Sequence, residues 1–176
     1  MAHRAQSKVK LVRTLIISLV PIGLLTGFYL WPEQKLPEGL TANKLVVNKS
    51  ERRLQLWSNN KLIKTYKISL GGNPEGHKEK QGDSRTPEGL YYINDKNPNS
   101  QFHLNLGISY PNAQDKMKTS NPGGDIKIHG LKNGNGWIGK FQRLLDWTDG
   151  CIAVTNSEIE ELYEAVPIGT PIQINP

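Results

Sequence analysis

The residues best able to do chemistry lie between Gly124 and Asn156. Cys151 is the only cysteine of the chain, and His129 ends the run Asp125-Ile126-Lys127-Ile128. A thiol and an imidazole are the pair a cysteine acyl-transfer enzyme needs. The thiolate attacks a carbonyl, and the imidazole takes the proton and later returns one to the leaving nitrogen. Gly150 directly precedes the cysteine, so the amides of Gly150 and Cys151 are candidates to face a developing oxyanion. By residue type alone, a lone cysteine is more often a small buried hydrophobe than a nucleophile, and a lone histidine is more often a hydrogen-bonded neutral residue. What favours chemistry is that both sit in short glycine-flanked motifs at strand ends.

The elements that must position this pair can be read from periodicity. Residues 125–128 alternate polar and apolar, as a half-buried strand does, and Gly130 allows a sharp exit after His129. Thr148-Asp149-Gly150 reads as a turn feeding the apolar stretch Cys151-Ile152-Ala153-Val154. Between them, Leu131–Leu145 opens on a Gly/Asn-rich loop, and Ile138–Leu145 has room for one or two helical turns. Trp137 and Trp147 are expected to pack under this excursion, with substrate stacking as the other reading. Thr155-Asn156-Ser157-Glu158 is a capping-box pattern. Ile159, Leu162, Tyr163 and Val166 then recur at helical spacing, so a helix is expected over Ser157–Ala165.

Upstream, Lys44–Lys49, Glu51–Trp57 and Leu62–Leu70 read as three strands of a meander, with a turn at Ser58-Asn59-Asn60-Lys61. Leu90–Asn94 and Phe102–Ser109 read as two more strands, and Thr170–Ile174 as a last one. Tyr110 follows a strand, so its ring either lines a groove or packs at a turn. Residues 112–122 are polar and read as a mobile loop, a candidate lid. His77, His103 and Asp83 make a metal site conceivable, but no ligand spacing supports one, and no metal is expected.

The first 13 residues carry Arg4, Lys8, Lys10 and Arg13 and no acid, and residues 14–31 are uncharged. Eighteen uncharged, mostly apolar residues are near the lower limit for a membrane span. The basic flank predicts a cytoplasmic N-terminus and a body across the membrane. No small-residue cleavage site follows, which favours an uncleaved anchor over a signal peptide. The expected organisation is a flank at 1–13, a transmembrane anchor at 14–31, a linker at 32–42 and a single domain at 43–176. Of the formal charge of +6, the flank supplies +4, so basicity is mainly a topological signal. It is not a nucleic-acid footprint, since no basic stripe with interleaved aromatics is present.

With these motifs in view, the sequence resembles the L,D-transpeptidase (YkuD) family. Ile128-His129-Gly130 followed by Thr148-x-Gly150-Cys151-Ile152 looks like its active-site signature. The stretch from Gly82 to Gly89 followed by Tyr91, the run Ser109-Tyr110-Pro111-Asn112, and Pro122-Gly123-Gly124 extend the likeness over roughly residues 43–175. Asp149 stands where the family usually has a histidine, and Ala153 where an arginine often follows; the DGCIAVTN form resembles one proteobacterial branch.

The resemblance implies a mostly β fold, a YkuD β-sandwich with a short helix after the nucleophile. It implies Cys151 as nucleophile, His129 as general acid/base, the Gly130 carbonyl orienting that imidazole, and Tyr110, Trp137, Thr148 and Asp149 as substrate contacts. The implied substrates are peptidoglycan stem peptides, worked on in the periplasm by a membrane-anchored monomer without cofactor. A peptidoglycan hydrolase or a non-catalytic wall-binding module on the same fold are the alternatives.

Overall fold

The computed structural model describes residues 23–176. The chain divides into two units, one ending at Gln34 and the other running from Lys35 to Pro176. In the first, residues 23–30 are helical. Among the described residues no helix is long and apolar enough to cross a membrane. The expected basic flank at 1–13 and residues 14–22 of the expected anchor lie outside the described residues.

The second unit is mostly sheet. Its strands are β1 (Lys44–Asn48), β2 (Arg53–Ser58), β3 (Lys61–Lys67), β4 (Gly89–Ser100), β5 (His103–Ile108), β6 (Lys127–His129), β7 (Ile152–Ala153) and β8 (Pro171–Asn175). Helix α1 spans Ala113–Lys118, a 3-10 segment spans Gly136–Leu144, and helix α2 spans Asn156–Ala165. Asn59 and Asn60 both take positive φ, 51° and 62°, which the tight β2–β3 turn needs. Alternation along β1, β2 and β8 sends Leu45, Val47, Leu54, Leu56, Ile172 and Ile174 into the core and their neighbours outward. Tyr91, Ile93, Leu106, Ile159 and Leu162 complete the same apolar interior.

The eight strands form one sheet in the order β3-β2-β1-β8-β4-β5-β6-β7. The pairings β1–β8 and β6–β7 are parallel, and the other five are antiparallel. The two-layer sandwich implied by the resemblance is therefore corrected to a single curled sheet, a half-barrel. The curl is visible in the hydrogen bonds. Ser69, just past edge strand β3, exchanges two backbone bonds (2.9 and 2.8 Å) with Ala153 on the opposite edge strand β7. Twist accumulated over eight strands brings the chain after β3 round to β7, whose outer edge is thereby covered.

The expected mobile lid is also corrected. Residues 113–118 form α1, whose N-cap Asn112 and N3 residue Asp115 make a reciprocal capping box. Asp115 is buried and also takes the Tyr91 hydroxyl at 3.1 Å, which ties α1 to the sheet. α2 begins one residue before its expected start, and its N-cap Thr155 and Glu158 form the expected box.

Candidate active site

β6 and β7 lie side by side in parallel, with Ile128 opposite Ile152 and His129 opposite Ala153. Ile128 and Ile152 are fully buried on the core face. Period-two alternation therefore puts His129, Lys127 and Cys151 together on the other face, with the cysteine two residues before the histidine's partner. Cys151 and His129 line one cavity of about 540 Å³, with Phe102, Asn105, Asp125, Lys127, Trp147, Thr148 and Asp149 among its other walls.

The imidazole is held on three sides. His129 Nδ1 lies 2.7 Å from the carbonyl oxygen of Gly130. A carbonyl can only accept, so Nδ1 carries the proton and Nε2 keeps its lone pair. Phe102 packs against the ring at 4.6 Å between centroids, and Trp147 meets it edge-on at 5.7 Å. Gly130 is required because the chain presses on the start of α2. A Cβ there would stand 2.8 Å from Asn156 Oδ1 and 3.0 Å from Ile159 Cγ2.

The nucleophile turn is built from its own residues. Thr148 Oγ1 donates to the Cys151 carbonyl at 2.7 Å and accepts from the Gly150 amide at 3.2 Å. Gly150 has φ +124°, and a Cβ would sit 2.5 Å from the Arg85 carbonyl oxygen. Only glycine takes that conformation in that space. The Gly150 amide expected to face an oxyanion is thus engaged by Thr148, because a threonine two residues upstream closes the turn onto it. Cys151 Sγ is half-buried, 3.6 Å from the Asp125 carbonyl oxygen.

Burial lowers the pKa of His129. The bond to Gly130 opposes this, and the Lys127 charge adds to it. Burial raises the pKa of Cys151. A backbone hydrogen bond from Lys127 opposes this, and the charges of Asp125 and Asp149 reinforce it. Both shifts favour the uncharged form. At neutral pH the cavity thus holds an uncharged thiol and a neutral imidazole whose Nε2 carries no proton.

The structure separates the remaining sequence candidates. Thr148 and Asp149 reach the cavity, Thr148 buried and Asp149 exposed. Tyr110 does not. It is 5% exposed, and its hydroxyl donates to the Lys78 and Pro122 carbonyls at 3.3 and 3.0 Å, so it packs at a turn. Trp137 is 73% exposed on the 3-10 segment and is not among the cavity's lining residues. Trp147 lines the cavity instead, with its Nε1 donating to Gln142 at 3.0 Å.

His77 pairs with Asp115 and His103 with Glu160, far from one another in role. Among the described residues no group of three or more His, Cys, Asp or Glu is placed to hold a metal ion. Phe102, Asn105 and Lys127 are cavity walls that sequence reasoning missed. Their place follows from the register of β5 against β6, in which Asn105 faces His129. No local motif announces that register.

Residues 42–174 match the family model described as YkuD, the L,D-transpeptidase catalytic domain. A protein of Escherichia coli K12 named as an L,D-transpeptidase, YafK, is 31% identical over 128 residues, covering 67% of this chain and 44% of its own length. The helical cell shape determining protein Pgp2 of Campylobacter jejuni superposes with a TM-score of 0.60 at 25% identity, covering 77% of this chain and 48% of that one. Bd1075 of Bdellovibrio bacteriovorus gives 0.57 at 25% identity, with coverage of 78% and 49%. The chain thus spans less than half the length of these relatives.

Proposed function

The chain belongs to the L,D-transpeptidase catalytic domain family, YkuD, and from that premise we propose that it is a cysteine acyltransferase of peptidoglycan stem peptides. The observation that carries the reading is the shared cavity. Cys151 and a tautomer-fixed His129 line it from adjacent strands. His129 Nε2 accepts the thiol proton as sulfur attacks the carbonyl that follows an L-centre. The C–N bond breaks, Nε2–H protonates the departing D-residue, and a thioester remains. An incoming amine then attacks the thioester, its proton passes through Nε2, and the sulfur leaves as thiol. With the Gly150 amide committed to Thr148, the Cys151 amide is the remaining local donor for the oxyanion.

The proposal extends to place and role. A basic flank followed by 18 uncharged residues supports an inner-membrane anchor with the catalytic unit in the periplasm. The DGCIAVTN motif supports a proteobacterial branch of the family. Likeness to a cell shape determining protein supports a role in wall remodelling.

The test is incubation of the purified protein with tetrapeptide-stem muropeptides, read by mass spectrometry. Crosslinked dimers or products with an exchanged D-amino acid are expected. Monomers only, one residue shorter, would make the protein a hydrolase. No conversion by wild type, with Cys151→Ala retaining cellular function, would make it a binding module.

A further inference from the structure

Trp147 is a cavity wall that touches the imidazole itself, edge-on at 5.7 Å. The chain around it is tied down on each side. Its Nε1 donates to Gln142 Oε1 at 3.0 Å, and the Gln142 carboxamide reaches the Ala153 carbonyl on β7 at 3.5 Å. Downstream, the Thr148 amide donates to the Leu70 carbonyl at 3.1 Å, and the Thr148 carbonyl accepts from the Gly72 amide at 2.9 Å. Upstream, Leu144 and Leu145 are exposed, so Asp146 is the tie directly before the indole.

That tie is a charged one. Arg52 Nε and Nη2 donate to Asp146 Oδ2 at 3.0 and 2.7 Å, and Asp146 Oδ1 accepts the Leu70 amide at 2.9 Å. A guanidinium that engages a carboxylate through two nitrogens fixes direction as well as distance. Arg52 stands in the β1–β2 turn at φ +51°, a left-handed conformation that glycine or asparagine takes with less strain. The backbone of the turn therefore does not call for an arginine, and two of its three guanidinium nitrogens are spent on Asp146.

We propose that Arg52 and Asp146 are positioning residues for the imidazole: their ion pair ties down the returning excursion and seats Trp147 against His129. The effect on rate rests on the transpeptidase reading; the seating of the ring does not. With the pair broken, Trp147 loses its upstream tie, water reaches the ring, and His129 is no longer held for the thiol proton.

The experiment uses the full chain in detergent, labelled at histidine and followed by NMR, with the His129 signal identified by its absence in His129→Gln. Arg52→Asn and Asp146→Asn are compared with wild type. Each is expected to shift the His129 ring signal and to raise its titration midpoint towards the ordinary value of about 6.5, because the burial that lowers it is lost. The charged groups of the cavity, Asp125, Lys127 and Asp149, are untouched by either substitution. A through-space charge effect would move the midpoint up in Arg52→Asn and down in Asp146→Asn, and that result overturns the proposal. Carbapenem acylation should fall about tenfold in both, the scale of a misplaced catalytic group, and Arg52→Lys should recover part of it. In a Trp147→Leu background neither substitution should move the midpoint further; a shift that persists there overturns the route through Trp147. The melting temperature of Arg52→Asn should stay within about 4 °C of wild type, and a collapse would make the pair a support of the fold, overturning its positioning role. An unchanged ring signal in both variants does the same. If wild type forms no adduct, it is the transpeptidase reading that fails, and the ring signal still decides the seating.

Discussion

A neutral thiol and a neutral imidazole lining one cavity set the pH behaviour of the site. In the proposed mechanism attack requires the free lone pair of His129 Nε2, and protonation of that atom stops it. Because burial lowers the pKa of His129, the acidic limb of thiol acylation should lie below the ordinary histidine value of about 6.5. Activity is kept above the shifted pKa and lost as pH falls through it. Carbapenem acylation rates across pH check this, and a limb at or above the ordinary value refutes it. His129→Gln should remove the limb together with most of the rate. Gly150 carries a second prediction at this scale. Gly150→Ala forces a Cβ to within 2.5 Å of the Arg85 carbonyl oxygen at φ +124°. It should cost about 2 kcal/mol of stability and displace the cysteine, lowering acylation at least tenfold; denaturant titration beside the acylation assay tests both. The glycine, the cysteine and the histidine were legible in the sequence because each belongs to a short motif. The task of the Gly150 amide was misread, although Thr148 two positions earlier was a usable sign of a side-chain-closed turn.

Among the elements, the segment before β4 holds itself by charge. Asp83 is nearly enclosed against Lys78 at 2.7 Å and takes the amides of Glu79, Lys80 and Arg85 at 2.8, 3.0 and 3.1 Å. Burial alone would raise its pKa, but the bonds from Lys78 and these amides hold it well below the usual carboxylate range. A carboxylate with a depressed native pKa stabilises the fold above its unfolded value, about 3.9, and that contribution is lost as pH falls below it. Asp83→Asn should lower stability at pH 7 by about 1–3 kcal/mol and flatten the acid dependence between pH 4 and 2. Equal losses at pH 7 and at pH 3 would contradict the assignment. The Arg85 carbonyl lies against Gly150, so the same substitution is expected to slow acylation as well. Helix α2 was legible because its cap and its apolar stripe are local. Helix α1 was missed because it is one and a half turns long and its box uses aspartate at Asp115 in place of the more familiar glutamate or glutamine.

At the scale of the molecule, strand identity was largely local and strand order was not. The hydrophobic alternation of β1, β2 and β8 reports burial, yet nothing in it says that β8 inserts between β1 and β4. That insertion, and the curl it allows, decides that there is one sheet where two stacked layers were expected. It also decides that Asn105 faces His129. The proposed anchor has its own test here. The full chain expressed in a Gram-negative host should stay with the membrane fraction after alkaline carbonate extraction; release into the supernatant would remove the anchor from the proposal.

The bridge between Ser69 and Ala153 has a consequence for how the enzyme comes to life. β7 is only two residues long and is flanked by segments that lie far from it in sequence, β6 on one side and the chain after β3 on the other. Pairings of such separation form late, once the intervening chain has collapsed. The sulfur therefore meets the imidazole-bearing strand only when segments distant along the chain have come together, so an unfolded polypeptide carries the thiol without its partner.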